Sequence, residues 1–166
     1  MSTYSFTGLD ELRSKLATLT TEAPELLKQA GLKSMQLNVE AAAKENTREH
    51  NDNGILTASI NTQASIESGQ QVIKTGSSEI HGIYLEYGTG LYATGPGGSQ
   101  AKQIPWLWKV ESRKWATIFG IERGESVVWY GSQPHPWLRP AWDENKDQVM
   151  EDVQAELKAA IARYSK

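Results

Sequence analysis

A helical repeat of apolar residues occupies each end of this chain, and that arrangement limits what the segment between them can build. At the N-terminal end Leu9, Leu12, Leu16 and Leu19 recur at i, i+3, i+7 and i+10. That spacing is one face of an amphipathic helix, with Asp10 and Glu11 in the first turn where the helix dipole favours acids. "TTEAPELLKQAG" reads as a second helix start, with Thr20 or Thr21 as the cap and Pro24 early, where its missing N–H is harmless. The pattern predicts continuation through "LKSMQLNVEAAAKENTRE", with a kink at Gly31 and with Leu27, Met35, Val39 and Ala42 or Ala43 on one stripe. At the other end Trp142, Val149, Val153, Leu157 (or Ala160) and Ile161 share a stripe, and Pro140 suits the first turn of that helix.

Between the helices the period changes. Ile55, Thr57, Ser59 and Asn61 alternate with Leu56, Ala58 and Ile60, which predicts a strand. "QQVIKTGS" continues as a second extended run, joined to the first by a turn at Ser68 and Gly69. Ser77 or Ser78 then caps a short helix through Ile80, Ile83 and Tyr84 to Tyr87, which Gly88 stops. The Gly-rich residues 89–104 read as an exposed flexible loop. Residues 105–133 read as a Trp-rich β insert: Trp106, Trp108 and Val110 share one side of a strand, and "SVVWYG" forms another. The whole predicts a single α+β domain over residues 1–166, with an antiparallel β-sheet packed against N-terminal helices and a long C-terminal helix.

Composition narrows the chemistry. The chain has no cysteine, so thiolate catalysis, disulfides and cysteine-bound zinc are excluded. A formal charge of -3 disfavours a protein built to neutralise phosphates. No apolar run reaches membrane-spanning length, so no membrane partner is expected. His50, His81 and His135 are scattered without ligand spacing, and neither a metal nor a cofactor is expected. There is no G-x-S-x-G phrase, and "GTGLYATGPGG" lacks the Lys and Ser/Thr of a phosphate loop. Glu86 with Asp143 or Glu144 would supply a carboxylate pair, and the six tryptophans, all beyond residue 105, would supply sugar platforms. A Trp-dependent carbohydrate-binding or glycoside-hydrolysing protein is therefore the alternative reading.

Two phrases look specified: "YLEYGT", with Glu86, Tyr87, Gly88 and Thr89, and "QPHPWLRPAWDEN". In the second, Pro136 and Pro140 fix the backbone and so present Trp137, Leu138 and Arg139 in a set direction. The planar guanidinium of Arg139 matches a carboxylate, which predicts an ion pair with Glu86. These nine residues are the expected structural motif, with no catalytic, cofactor-binding or metal-binding residue among them.

"NGILTASI", "IYLEYGTG" and "PHPWLRPAWDENKDQVMEDVQAEL" follow one another in that order after a helical N-terminal region. In this the chain resembles the tail-completion, or head–tail joining, proteins of long-tailed double-stranded-DNA phages. Gly54, Leu56, Ser59 and Ile60 match the first of the family's phrases. Tyr84, Glu86, Tyr87, Gly88 and Thr89 match the second, with Leu85 in place of the usual Val. Pro136 to Ala141 match the third. The phrase that usually precedes the first strand is replaced by "EHNDNG", and the Trp-rich insert is long. The resemblance implies a non-enzymatic α+β virion protein of the neck, made in the host cytoplasm. It implies self-association in a ring, often a hexamer in the virion, between the tail tube protein and the head's connector, and leaves open whether the free chain is a ring or a monomer. DNA would pass through that ring without specific binding.

Overall fold

The computed structural model describes residues 8–50, 53–95 and 101–164. Helix α1 (Leu9–Ser34) runs without a break into a π-helical stretch, Met35–Glu40, and on into α2 (Ala41–Asn46). The second start expected at Thr20 or Thr21 is absent. Pro24 sits inside α1, and the Thr20 and Thr21 hydroxyls instead donate to the carbonyls of Leu16 and Ala17 at 2.8 and 3.0 Å. Such back-bonding lets threonine stay in a helix interior. Gly31 is buried because a Cβ there would lie 2.6 Å from Ile73 Cδ1, so this glycine permits close packing of the helix on the second strand. The wider π turns follow at once. They keep Met35, Val39 and Ala43, four residues apart, on a single buried face where a straight α-helix would drift.

The "GILTASI" segment departs from the expected strand. Ile55–Ser59 forms a short helix, α3, entered through Gly54 at φ 77°, with Asn53 Oδ1 accepting from the Ile55 N–H at 3.2 Å. Strand β1 (Asn61–Glu67) begins only after it and pairs antiparallel with β2 (Gln70–Gly76). Ser68 and Gly69, both at positive φ, form the expected two-residue turn. Cross-strand Thr62 and Thr75 share a hydrogen bond at 2.8 Å. Next come α4 (Ile80–Tyr87) and a 3-10 turn, Gly90–Tyr92. In the insert, β3 (Trp106–Lys109) and β4 (Ser126–Trp129) form a separate two-stranded ribbon, with α5 (Arg113–Phe119) between them. Helix α6 (Leu138–Tyr164) closes the chain.

The fold is thus α+β, and among the described residues the strands form two antiparallel ribbons. The core forms where the π-helical stretch meets α6 and the start of β1: Met35, Val39, Ala43, Ile60, Trp137, Ala141 and Val149 are buried together. Helices α1 and α6 run antiparallel. Ser34 Oγ donates to Asp152 Oδ2 at 2.5 Å near one end of the contact, and Tyr164 donates to Glu22 near the other. The inward stripe of α6 is Ala141, Val149 and Ala160, whereas Trp142 and Ile161, expected on that stripe, remain exposed.

The loop expected to be flexible over 89–104 is tied down at its start. The Thr89 and Leu91 N–H groups donate to the carbonyls of Ser132 and Tyr130 at 2.9 and 2.8 Å, and the Ser132 N–H donates to Thr89 Oγ1 at 2.9 Å. Gly90 makes this approach possible, since at φ 58° a Cβ would stand 2.2 Å from the Tyr130 carbonyl oxygen. Residues 96–100 of that loop lie outside the described residues.

Candidate functional site: a carboxylate that caps a helix from outside

Helix α6 begins without a capping residue of its own. Trp137 precedes Leu138 at its start and has no side-chain acceptor to offer. The opening N–H groups of a helix have no partner within it and need one from elsewhere. Glu86, in the last turn of α4, supplies it. Its Oε2 accepts from the Trp137 and Leu138 N–H groups at 2.7 and 2.9 Å. Its Oε1 accepts from the Arg139 N–H at 3.2 Å. The next residue is Pro140, which has no N–H to satisfy, so one carboxylate and one proline account for the start of the helix. The negative charge also meets the positive end of the helix dipole.

Arg139 completes the site. Its Nε donates to Glu86 Oε1 at 2.7 Å, and a terminal guanidinium nitrogen donates to the Glu86 backbone carbonyl at 3.1 Å. The predicted ion pair therefore forms within one chain. The guanidinium also lies 4.9 Å from the centre of the Tyr87 ring, within cation–π range. Glu86 is only 4% exposed. Burial works to raise the pKa of its carboxyl, but the hydrogen bonds from Leu138, Trp137 and Arg139 outweigh it and hold the group below the ordinary glutamate range.

Other members of the two phrases brace the same junction. The Trp137 indole, 3% exposed, donates from Nε1 to the Gly82 carbonyl at 2.8 Å, while its own carbonyl accepts from Asn46 Nδ2 at 3.1 Å. A Cβ at Gly82 would stand 3.2 Å from the indole and 3.1 Å from Leu56 Cδ1. The His135 N–H donates to the Leu85 carbonyl at 2.7 Å. Gly88, at φ 75°, ends α4 and turns the chain against the backbone of Ser132 and Pro134. The Tyr87 carbonyl accepts from both the backbone and the hydroxyl of Thr94. Pro136 is exposed and Pro140 half-buried, so their part is to fix the backbone rather than to pack.

Neither second carboxylate shares the burial of Glu86: Asp143 is exposed and pairs with Lys146 at 3.5 Å, and Glu144 is exposed. Three tryptophans of the insert, Trp108, Trp115 and Trp129, pack in one aromatic cluster instead of standing free as platforms. Trp108 meets Trp115, Phe119 and Trp129 edge-on at 5.5 to 5.7 Å, a small aromatic core beside the buried Val110.

One grouping escaped the sequence. His50, His81 and His135 all line a single groove of about 930 Å³, and the rings of His50 and His135 meet at 4.1 Å, tilted by 31°. Their separation along the chain gives no signal of this. Among the described residues no set of three or more His, Asp or Glu side chains is placed to hold a metal ion. Tyr84, Trp108 and Trp115 form apolar parts of the same groove, with Glu49, Glu79 and Lys114 also lining it.

No protein family, curated protein or solved structure matches this chain. The functional reading rests on the residues themselves.

Proposed function

We propose that this chain is a structural virion protein of the neck of a long-tailed phage, which joins the tail tube to the head's connector as an oligomeric ring. The observation that carries the reading is the state of Glu86. It is the residue with the best claim to chemistry, and both its oxygens are committed to holding α4, the "PHPWLRP" segment and α6 together. The phrases on which the phage resemblance rests thus meet at one mechanical junction. The self-packed tryptophans favour a scaffold over a sugar-binding surface. In this reading the protein is not an enzyme and uses no cofactor. A ring, hexameric in the assembled particle, contacts the tail tube protein on one side and the connector on the other. A net negative charge lets DNA pass through without being gripped.

Electron microscopy of the purified full chain, with glycan titrations followed by tryptophan fluorescence, tests this. Ring particles with an open centre and no saturable quenching are expected. A monomer that binds a glycan saturably would overturn the proposal in favour of the carbohydrate reading.

A further inference from the structure

Two of the exposed apolar surfaces formed by the described residues lie at opposite ends of the molecule. The first is the leading part of α1. Tyr164, the last described residue of α6, meets Glu22. The turns of α1 before Glu22 therefore run on past that point. Leu9, Leu12 and Leu16 there are 58%, 53% and 53% exposed, all on one face. These leucines lie on the free leading turns of a long, otherwise packed helix, so their apolar face is open to a partner. The second surface is the histidine-lined groove, in which Ile55 and Tyr84 are about half exposed beside Trp108 and Trp115. It lies beside His50, just beyond the far end of the helical run that starts at Leu9. At a rise of 1.5 Å per residue that run is about 55 Å long, so the arm cannot fold back into its own groove.

The charges on the two surfaces complement each other. By helical geometry Arg13 and Lys15 flank the leucine stripe on its two sides, while Asp10 and Glu11 lie toward its back. Lys15 already reaches Glu11 at 2.9 Å. The groove presents two carboxylates, Glu49 and Glu79, against one ammonium, Lys114, with the imidazoles of His50, His81 and His135 beside them and His81 Nδ1 3.9 Å from Glu79. A cationic-edged leucine helix fits an apolar groove with a mainly acidic border.

We propose that the N-terminal arm of one copy, with Leu9, Leu12 and Leu16 inward, docks in the Tyr84–Trp115 groove of the next copy. The two surfaces differ, so the association is head-to-tail, and such contacts build rings when the rotation closes. The arm–groove contact follows from the geometry of the chain. Its closure into a ring rests on the neck reading above.

The test uses two double variants of the full chain, Leu12→Glu/Leu16→Glu in the arm and Ile55→Glu/Tyr84→Glu in the groove. All four positions are solvent-facing, and circular dichroism checks that each variant keeps its fold. Sedimentation velocity should show the parent chain self-associating and each variant at least about 100-fold weaker, the loss expected when two apolar contacts are replaced by charge. Mixed together, the variants should form a one-to-one heterodimer, since each keeps the surface the other lacks. A mixture that stays monomeric, or a parent chain that stays monomeric up to about 1 mM, overturns the proposal. The absence of cysteine permits a second measurement in which Leu16→Cys and Tyr84→Cys chains are mixed and oxidised. A disulfide between the two different variants is expected, and preferential Leu16→Cys self-linking would instead show a symmetric arm pair and overturn it. Ring particles without the arm–groove disulfide would overturn this contact and leave the neck reading standing. An open filament with that disulfide would support the contact and overturn the ring.

Discussion

Replacing Glu86 with glutamine changes almost no volume but removes the charge and turns one acceptor into a donor. If the new amide nitrogen takes the place of Oε2, it faces the N–H groups of Trp137 and Leu138. In the place of Oε1, it faces the N–H and Nε of Arg139. Either way two donors lose their acceptor at a buried position. A hydrogen bond to a charged group contributes about 1.5–3 kcal/mol, and such losses are not additive. The Arg139 side chain is half exposed, so its share is discounted for solvent screening. A net destabilisation of about 3 kcal/mol results, close to the lower end for breaking a buried pair. Urea unfolding followed by tryptophan fluorescence measures it: with a slope of about 2 kcal/mol/M, the midpoint of Glu86→Gln should fall by about 1.5 M at pH 7. The pH dependence has a fixed sign. Because the folded state holds the carboxyl below its ordinary range, its contribution is complete above pH of about 4.3 and is lost as pH falls through the lowered value. Other carboxyls, among them Glu40 and Asp152, are lowered too, so the informative quantity is the gap between parent and variant. That gap should close in acid. Equal midpoints at pH 7, or a gap unchanged down to the acid limit of the native state, would refute the capping role.

The neighbouring contacts give further expectations. Trp137→Phe keeps most of the buried ring but strips the Gly82 carbonyl of its indole donor, and should cost about 1–2 kcal/mol in the same urea assay. Gly90→Ala forces a methyl group into the Tyr130 carbonyl and should cost about 2–3 kcal/mol. Gly120→Ala, also at positive φ but with nothing within 4 Å, should cost only about 1 kcal/mol, and equal losses at the two glycines would contradict the close approach at Gly90.

The helices at either end were legible because each carries apolar residues at a helical period over many turns. Pro24 misleads because proline marks helix starts, yet here packing along α6 carries α1 through it. "GILTASI" misleads because a single turn of helix and a short strand place apolar residues alike, and the deciding signal, Gly54 preceded by Asn53, reads equally as a turn. The Glu86–Arg139 pair was legible because prolines frame Arg139 and apolar neighbours surround both charges. The capping role was not predicted, although a signal existed: α6 opens on Trp, Leu and Arg with no Ser, Thr, Asp or Asn, so its N–H groups needed an acceptor from another element. The contact of His50 with His135 leaves no trace in the sequence, because it depends on how the end of the first helical run meets the segment before α6.

The central claim, that this chain works as a ring-forming structural protein, is tested most directly by the mass of the full chain in solution. Sedimentation equilibrium over a wide concentration range should give a mass that rises to a fixed multiple of the chain, six copies if the ring follows the phage proteins it resembles, and then stops. A mass that stays at one copy at every concentration, or one that climbs without limit, would contradict it.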